Sequence, residues 1–179
     1  MQAAQQTVTE IQSVLDKFRE GYGNKDIDTL LSLFDPDPNV LVIGTGEDEK
    51  RSGLAEIKIQ FERDFSQSDQ LTVEFHNVSV SQQESVCWIA ADTHVYFSAD
   101  GNAMHVFLRF TGVLINRNNQ WLFVQTHFSL PFSDPVQEDP ALNESEEWSF
   151  SEPDKLDKKK ALLKWAGPTT VKELPVNDT

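Results

Sequence analysis

The sequence is poor in several features that define common classes of protein. It contains one cysteine, Cys87, among 179 residues, so neither a disulfide framework nor a cysteine-based zinc site is expected. No apolar run approaches the length of a membrane-spanning helix. The N-terminus has no basic stretch followed by an apolar one, unlike a secretory signal. These absences predict a cytoplasmic protein.

Basic residues are also scarce, with 15 lysines and arginines against 29 acidic residues and a net charge of −14. A field of this sign repels phosphate backbones and anionic lipid surfaces, so neither nucleic acid nor a membrane is a predicted partner. An apolar content of 39% is enough for a hydrophobic core. The length suits one domain with an extension.

Two hydrophobic periods divide the chain. Apolar residues follow a helical period over 7–22, 26–34 and 54–66, and the stretch VLVIG at 40–44 predicts a strand. From residue 70 the period is alternating, which predicts four long strands at 70–82, 85–99, 102–117 and 120–130. Three helices followed by a strand meander predict an α+β fold, with the helices on one face of a curved sheet.

The composition changes after Pro131. The remaining stretch is acidic, contains several prolines and is of low complexity, which is typical of a loosely held segment. The sequence therefore predicts one domain over residues 1–132 and an acidic extension over residues 133–179. Residues 154–166 of the extension could form a short helix.

The hairpin loops determine which side chains share a face of the sheet. Asp100-Gly101 predicts a two-residue loop, and Arg117-Asn118-Asn119 is interpreted as a three-residue loop. One face of three neighbouring strands then carries Trp88, Asp92, His94, Tyr96, His105, Arg109, Thr111, Gln125, His127 and Ser129. The opposite face is apolar and needs to be covered by helices or by a second subunit. The polar face is rich in rings and is interpreted as the wall of a cavity.

Arg109 is the one basic residue between residues 64 and 116. In these registers it faces both Asp92 and His127. A guanidinium in an apolar strand needs a carboxylate, and Asp92 is the candidate. A structural Asp92–Arg109 ion pair explains the pattern as well as an anion site does, in which His127 and Ser129 add hydrogen bonds.

Candidate site residues follow from this face. His94, His105 and His127 could lie together, but they lack the short spacing of a metal motif, so neither a metal nor another cofactor is predicted. His127 and Asp92 are the candidates for catalysis, although Arg109 beside Asp92 disfavours this carboxylate as a general base. The residues predicted to bind a ligand are Arg109, His127, Ser129, Asp92, Tyr96, His94, His105, Thr111, Trp88 and, at the end of the first helix, Tyr22, for which packing is the better explanation.

Several motifs resemble one family. Arg109-x-Thr111, Trp121 and His127-x-Ser129-x-Pro131 resemble the SnoaL-like branch of the nuclear transport factor 2-like superfamily, and IGTGEDEKRSG before a helix is similar to it as well. The resemblance covers about residues 5–132. It implies a cone-shaped barrel of three N-terminal helices packed on a curved, mostly antiparallel sheet. It also implies a pocket between the helices and the sheet, and a homodimer formed through the outer face of the sheet.

The superfamily includes cyclases, isomerases, dehydratases and non-catalytic binding or assembly domains, so the fold does not select the chemistry. The predicted function is a pocket for a small organic molecule, with an anion or carboxylate as the favoured ligand. One alternative is an enzyme, either a lyase or isomerase acting on a carbonyl compound or a metal-free carbonic anhydrase. Another is an assembly module that recruits a partner through its acidic extension.

Overall fold

Three helices precede the long strands along the chain. The computed structural model describes residues 2–99 and 102–131. The helices are α1 (Gln5–Gly23), α2 (Ile27–Leu31) and α3 (Gly53–Ser66). Asp26 caps α2 by accepting a hydrogen bond of 3.0 Å from the backbone N–H of Thr29, as expected for an aspartate at this position. All three predicted helices are confirmed, although α2 is shorter than the predicted 26–34.

The strands form a single open sheet. They are β1 (Leu41–Ile43), β2 (Lys50–Ser52), β3 (Gln70–Gln83), β4 (Val86–Ala99), β5 (Asn102–Arg117) and β6 (Gln120–Ser129). Their order in the sheet is β2-β1-β6-β5-β4-β3, with β1 parallel to β6 and all other neighbours antiparallel. The predicted α+β fold with a mostly antiparallel sheet is therefore confirmed, but the described strands do not close into a barrel.

Of the two central hairpins, β4–β5 has the predicted register and β5–β6 does not. In β4–β5, Asp92 pairs with Arg109 and Ala99 with Asn102, as expected. The loop residues 100–101 lie outside the described residues. In β5–β6, Arg117 pairs with Gln120, so the loop has two residues rather than three. Asn118 and Asn119 both have positive φ, 54° and 63°, which is the backbone of a tight type I′ turn.

A bulge in β6 restores the predicted faces. Leu114 pairs with Phe123 and Val113 with Gln125, which leaves Val124 as an extra residue. The shorter loop and the bulge each shift the register by one residue, so Arg109 pairs with Ser129 rather than with His127. Because the two shifts add up to an even number, the second half of β6 keeps the faces that were predicted.

The helices cover the apolar face of the sheet. Phe18 of α1 is at the centre of an aromatic core, with its ring centroid 6.4 Å from that of Phe61 and 6.3 Å from that of Phe123. α1 is also tied to β6 by a hydrogen bond of 2.9 Å from Trp121 Nε1 to Glu10 Oε2. The opposite face of β4, β5 and β6 is left open by the described residues.

In residues 2–99 and 102–131, no helix combines the length and the apolar character that crossing a bilayer requires. The extension over 133–179, including the helix suggested at 154–166, lies outside the described residues. The division of the chain into a domain and an extension therefore stays a prediction.

Candidate functional site

A cavity of about 50 Å³ lies between the helices and the apolar face of the sheet. One water molecule needs roughly 10–15 Å³ of such space, so the cavity has room for a few waters or for a short organic molecule. Its wall is mostly apolar and includes the side chains of Phe18, Phe34, Phe61, Val73, Leu108 and Phe128. The cavity lies between the helices and the sheet, where the family resemblance implies a pocket, and that it binds a ligand stays a prediction.

Four polar residues of the wall form one hydrogen-bond network. Tyr22 Oη donates to Asp64 Oδ2 at 2.5 Å, and Gln60 Nε2 donates to Asp64 Oδ1 at 2.9 Å. A longer contact of 3.4 Å runs from Gln60 Nε2 to Glu49 Oε1. All four residues are more than nine-tenths buried. The described lining residues therefore include two buried carboxyl groups and no lysine or arginine.

α3 supplies half of this network from its buried face. Ile57, Gln60, Phe61 and Asp64 are buried at spacings of three and four residues, which places them on one side of the helix. Two of the four are polar, on a face that otherwise packs in the core. Gln60 and Asp64 were missed by the sequence analysis, which used only the apolar residues of this helix, and their place in the helical period is the signal that could have found them.

Glu49 comes from the loop between β1 and β2. The backbone N–H of Gly44 donates to the carbonyl oxygen of Glu49 at 2.7 Å, and the N–H of Gly46 donates to Glu49 Oε2 at 2.8 Å. Arg63 of α3 forms an ion pair with Asp48 Oδ2 at 2.8 Å and so ties the loop to the helix. The loop is thus folded around the carboxylate that it places in the wall of the cavity.

We expect Gly44→Ala to destabilise the protein by about 1–3 kcal/mol, as overpacking does elsewhere. A Cβ at position 44 would lie 2.8 Å from the Cβ of Glu49, so the loop would have to open. Gly23→Ala is the control, because its Cβ would meet only the carbonyl oxygen of Leu71, at 3.6 Å. Urea unfolding of both variants measures the difference, and equal stabilities would contradict the tight packing of Glu49 against Gly44.

Burial dominates the ionisation of the Tyr22–Asp64 pair. It raises the pKa of Asp64 from 3.8 to about 6, although the hydrogen bonds from Tyr22 and Gln60 favour the charged form. Burial, followed by the charge of Asp64, raises the pKa of Tyr22 well above its ordinary value. Near neutral pH, Tyr22 is therefore a protonated donor beside a carboxyl group that exchanges its proton close to the solution pH. Such a pair has the properties that general acid–base catalysis requires.

Of the ten residues predicted to bind a ligand, Tyr22 lines this cavity and the other nine do not. Those nine lie on the opposite, open face of the sheet, where Trp88 and Tyr96 are 38% and 41% exposed. The interpretation of that face as a cavity wall was wrong for the described chain, because the helices pack on the apolar face and enclose the cavity there. Whether Arg109, His127, Ser129 and their neighbours bind a ligand on the open face stays a prediction. The nine residues are Trp88, Asp92, His94, Tyr96, His105, Arg109, Thr111, His127 and Ser129.

Asp92 and Arg109 do not form the predicted ion pair on the open face. The two residues are cross-strand neighbours, but the carboxylate of Asp92 accepts a hydrogen bond of 2.8 Å from Asn77 Nδ2. In the described structure, the carboxylate oxygens of Asp92 and the guanidinium nitrogens of Arg109 do not come within 4.0 Å of each other, the distance required for an ion pair. The side chain of Arg109 is instead exposed.

The histidines of the open face cluster in a different way from the one predicted. His94 Nδ1 lies 3.0 Å from His105 Nε2, and the ring centroid of His76 is 4.9 Å from that of His94. His76 thus takes the place expected for His127, which pairs with Thr111 on β5 and with Ile43 on β1. In the part of the chain that the structure describes, no three His, Cys, Asp or Glu side chains are arranged to hold a metal ion.

A curved sheet that encloses a cavity under three N-terminal helices defines the nuclear transport factor 2-like class of fold. Residues 11–133 match the model of the SnoaL-like domain, so the chain belongs to the SnoaL-like domain family. The resemblance predicted from the sequence is therefore confirmed. No curated protein matches the chain.

Solved structures support the same fold. A nuclear transport factor 2-like superfamily protein from Salmonella enterica serovar Typhimurium has a TM-score of 0.68 and 19% identity, over 75% of this chain and 99% of that one. A protein of Streptomyces avermitilis assigned as a dehydratase of this family has a TM-score of 0.62 and 16% identity, over 70% and 97%. A protein of Xanthomonas campestris assigned as a calcium/calmodulin-dependent protein kinase II association domain has a TM-score of 0.61 and 18% identity, over 68% of this chain and 86% of that one. At these identities the likeness shows the fold alone.

Proposed function

We propose that the protein binds a small organic molecule in the cavity and that Asp64, with Tyr22, transfers a proton to or from it. The observation that carries this proposal is the 2.5 Å hydrogen bond between Tyr22 Oη and Asp64 Oδ2 in the wall of an apolar cavity. The corresponding reaction class is that of a lyase or an isomerase. This is one of the enzyme alternatives raised by the sequence, with Asp64 in place of the residues first considered.

The two residues have different roles in this proposal. Asp64 is the base that removes a proton from carbon or from a hydroxyl group, because a base is most effective when its pKa lies near the working pH. Tyr22 holds the carboxylate in place and donates a hydrogen bond. Gln60 positions the second oxygen of Asp64 at 2.9 Å, which leaves the base with a fixed orientation.

The size of the cavity limits the substrate. Pockets for drug-sized ligands have volumes of roughly 300–1,000 Å³, far above the 50 Å³ of this cavity. We therefore propose a substrate of only a few non-hydrogen atoms. The dehydratase assignment of the Streptomyces avermitilis protein supports a proton-transfer reaction without identifying the compound.

Deuterium exchange tests the proposed chemistry. Small ketones, namely acetone, hydroxyacetone and cyclopentanone, are incubated with the protein in D₂O, and the loss of α-proton signals is followed by NMR. Wild type should accelerate the exchange of at least one compound, and Asp64→Asn should reduce that acceleration by about 10²–10⁴-fold, the usual contribution of a general base.

The control for this experiment is Glu62→Gln, which removes an exposed carboxylate from the same helix. It should exchange the ketone at the wild-type rate. If wild type does not accelerate exchange of any compound, or if Asp64→Asn exchanges as fast as Glu62→Gln does, Asp64 is not the base.

We also propose that the open face of the sheet forms a homodimer, as the sequence resemblance implies. Trp88, Tyr96 and Phe107 are large side chains that are 38–41% exposed on this face. Tyr96 and Phe107 both have their rings near that of His94, and exposed aromatic side chains are typical of a surface that binds another protein. Phe107→Glu should therefore give a monomer in analytical ultracentrifugation while wild type sediments as a dimer, and a monomeric wild type would contradict the proposal. The predicted cytoplasmic location stays a prediction.

A further inference from the structure

We propose that the ligand of the cavity is a small organic cation, a protonated amine, rather than an anion. This inference deepens the proposed function, because it rests on the cavity being a ligand site, but it does not depend on proton transfer. It replaces the carboxylate ligand that the sequence favoured, because that ligand was chosen to fit Arg109, which lies outside the cavity.

The charge of the wall is the first reason. Glu49 and Asp64 both line the cavity and are 2% and 7% exposed, and none of the described lining residues is a lysine or an arginine. Arg63 lies outside the lining, where it forms an ion pair with Asp48, and its charge has the smallest of the effects that shift the pKa of Asp64. Two buried carboxyl groups with no cation among the described lining residues are unfavourable, so a positively charged ligand would compensate their charge. A carboxylate ligand would meet two charges of its own sign.

The aromatic side chains are the second reason. Phe18, Tyr22, Phe34, Phe61 and Phe128 line the same cavity. Their rings differ in orientation: those of Phe18 and Tyr22 are nearly parallel, with centroids 5.6 Å apart, whereas those of Tyr22 and Phe61 meet edge to face at 6.0 Å. Aromatic faces attract ammonium groups through their quadrupoles, most strongly where water is excluded. A cavity lined by aromatic rings and carboxyl groups is complementary to an alkylammonium ion.

Unpartnered polar atoms are the third, independent reason. Gln60 Oε1 and Thr126 Oγ1 are buried without a hydrogen-bond partner, and both residues line the cavity. Exchanging the positions of Oε1 and Nε2 in the amide of Gln60 would break hydrogen bonds, because Nε2 lies between the carboxylates of Asp64 and Glu49 and donates to both. The unpartnered Oε1 therefore needs a donor. An ammonium group has three N–H donors and no acceptor, which suits a wall made of acceptors.

Three probes of similar size and different charge test the inference. Propylammonium, 1-propanol and propionate are titrated into the full-length protein at neutral pH, and the amide signals are followed by ¹⁵N-correlated NMR. Propylammonium should shift the signals of Gly44, Gly46 and Thr126 and should bind about tenfold or more tightly than propanol, a ratio within the range of desolvated cation–π contacts. Propionate should not bind there.

Two variants locate the effect. Glu49→Gln should bring the affinity for propylammonium close to that for propanol, and Glu62→Gln, on the exposed side of α3, should leave both unchanged. If Glu49→Gln does not fold, the comparison of the three probes on wild type still decides. Propanol or propionate binding as tightly as propylammonium, or no saturable shift with any of them, would overturn the inference. Proton transfer is judged separately by deuterium exchange of ketones, so the failure of one proposal can be told from the failure of the other.

Discussion

Asp64→Asn should remove a large part of the pH dependence of stability between pH 4 and pH 6. The pKa of Asp64 is about 6 in the folded protein, against an ordinary value of 3.8. Between these values the folded state binds more protons than the unfolded state, so the stabilisation from this group is complete at low pH and is lost as the pH rises through 6. The loss amounts to about 3 kcal/mol, and the variant, which has no carboxylate to bury, should be the more stable protein at pH 8.

Urea unfolding of wild type and of Asp64→Asn at intervals from pH 4 to pH 8 measures this effect. Asp26, Asp37 and Asp48 have pKa values lowered by hydrogen bonds, so their contributions change with pH in the opposite direction. The difference between variant and wild type isolates Asp64, because the other groups are common to both. Glu62→Gln should follow the wild-type curve. If the Asp64→Asn curve runs parallel to wild type, Asp64 titrates near its ordinary pKa.

Arg117→Leu should destabilise the protein by about 3 kcal/mol, the lower end of the range for breaking a buried pair, since Arg117 is half exposed. Arg117 Nε lies 3.0 Å from Oδ2 of Asp35, whose side chain is fully buried. Oδ2 has no partner with hydrogen-bond geometry, so the contact is an ion pair, whereas Oδ1 accepts from the N–H of Asp37 at 2.9 Å. Removing the guanidinium leaves a buried carboxylate without its cation.

A double-mutant cycle distinguishes the pair from a simple packing effect. Asp35→Asn keeps an oxygen for the Asp37 N–H, so the double variant Asp35→Asn/Arg117→Leu should be more stable than Arg117→Leu alone. Arg19→Leu is the control, because its ion pair with Glu20 lies on the surface of α1 with about half of each side chain exposed, which predicts a change within about 0.5 kcal/mol. A double variant as unstable as the sum of its single variants would show that the two side chains are not coupled.

The sequence predicted the faces of the sheet better than it predicted the site. Alternation assigned Leu108 and Phe128 to one face and Arg109 and His127 to the other, and the structure agrees. It could not show that the rings of Trp88 and Tyr96 remain in the open, because side chains that suit a cavity also suit a protein interface. Because of the aromatic and imidazole side chains of the polar face, the cavity was predicted on the wrong side of the sheet.

The candidate site was harder to predict because it depends on contacts between distant segments. Glu49 and Asp64 are brought together by Gln60 and by a loop that the sequence marks only as polar and glycine-rich. A polar loop gives no indication that one of its carboxylates turns inward. Gln60 and Asp64 were accessible to sequence reasoning, since a helix face that buries Ile57 and Phe61 has to bury them as well.

The turn at Asn118-Asn119 and the bulge at Val124 have a consequence for how sequences of this kind can change in length. Losing one residue from the turn would rotate the strand that follows by one position and direct Thr126 and Phe128 away from the cavity. Losing the bulge residue as well would return both side chains to it. The loss of both would still leave Phe123, which lies between the two places and is fully buried, on the wrong face of the strand. In evolutionary terms, the length of this hairpin should change little.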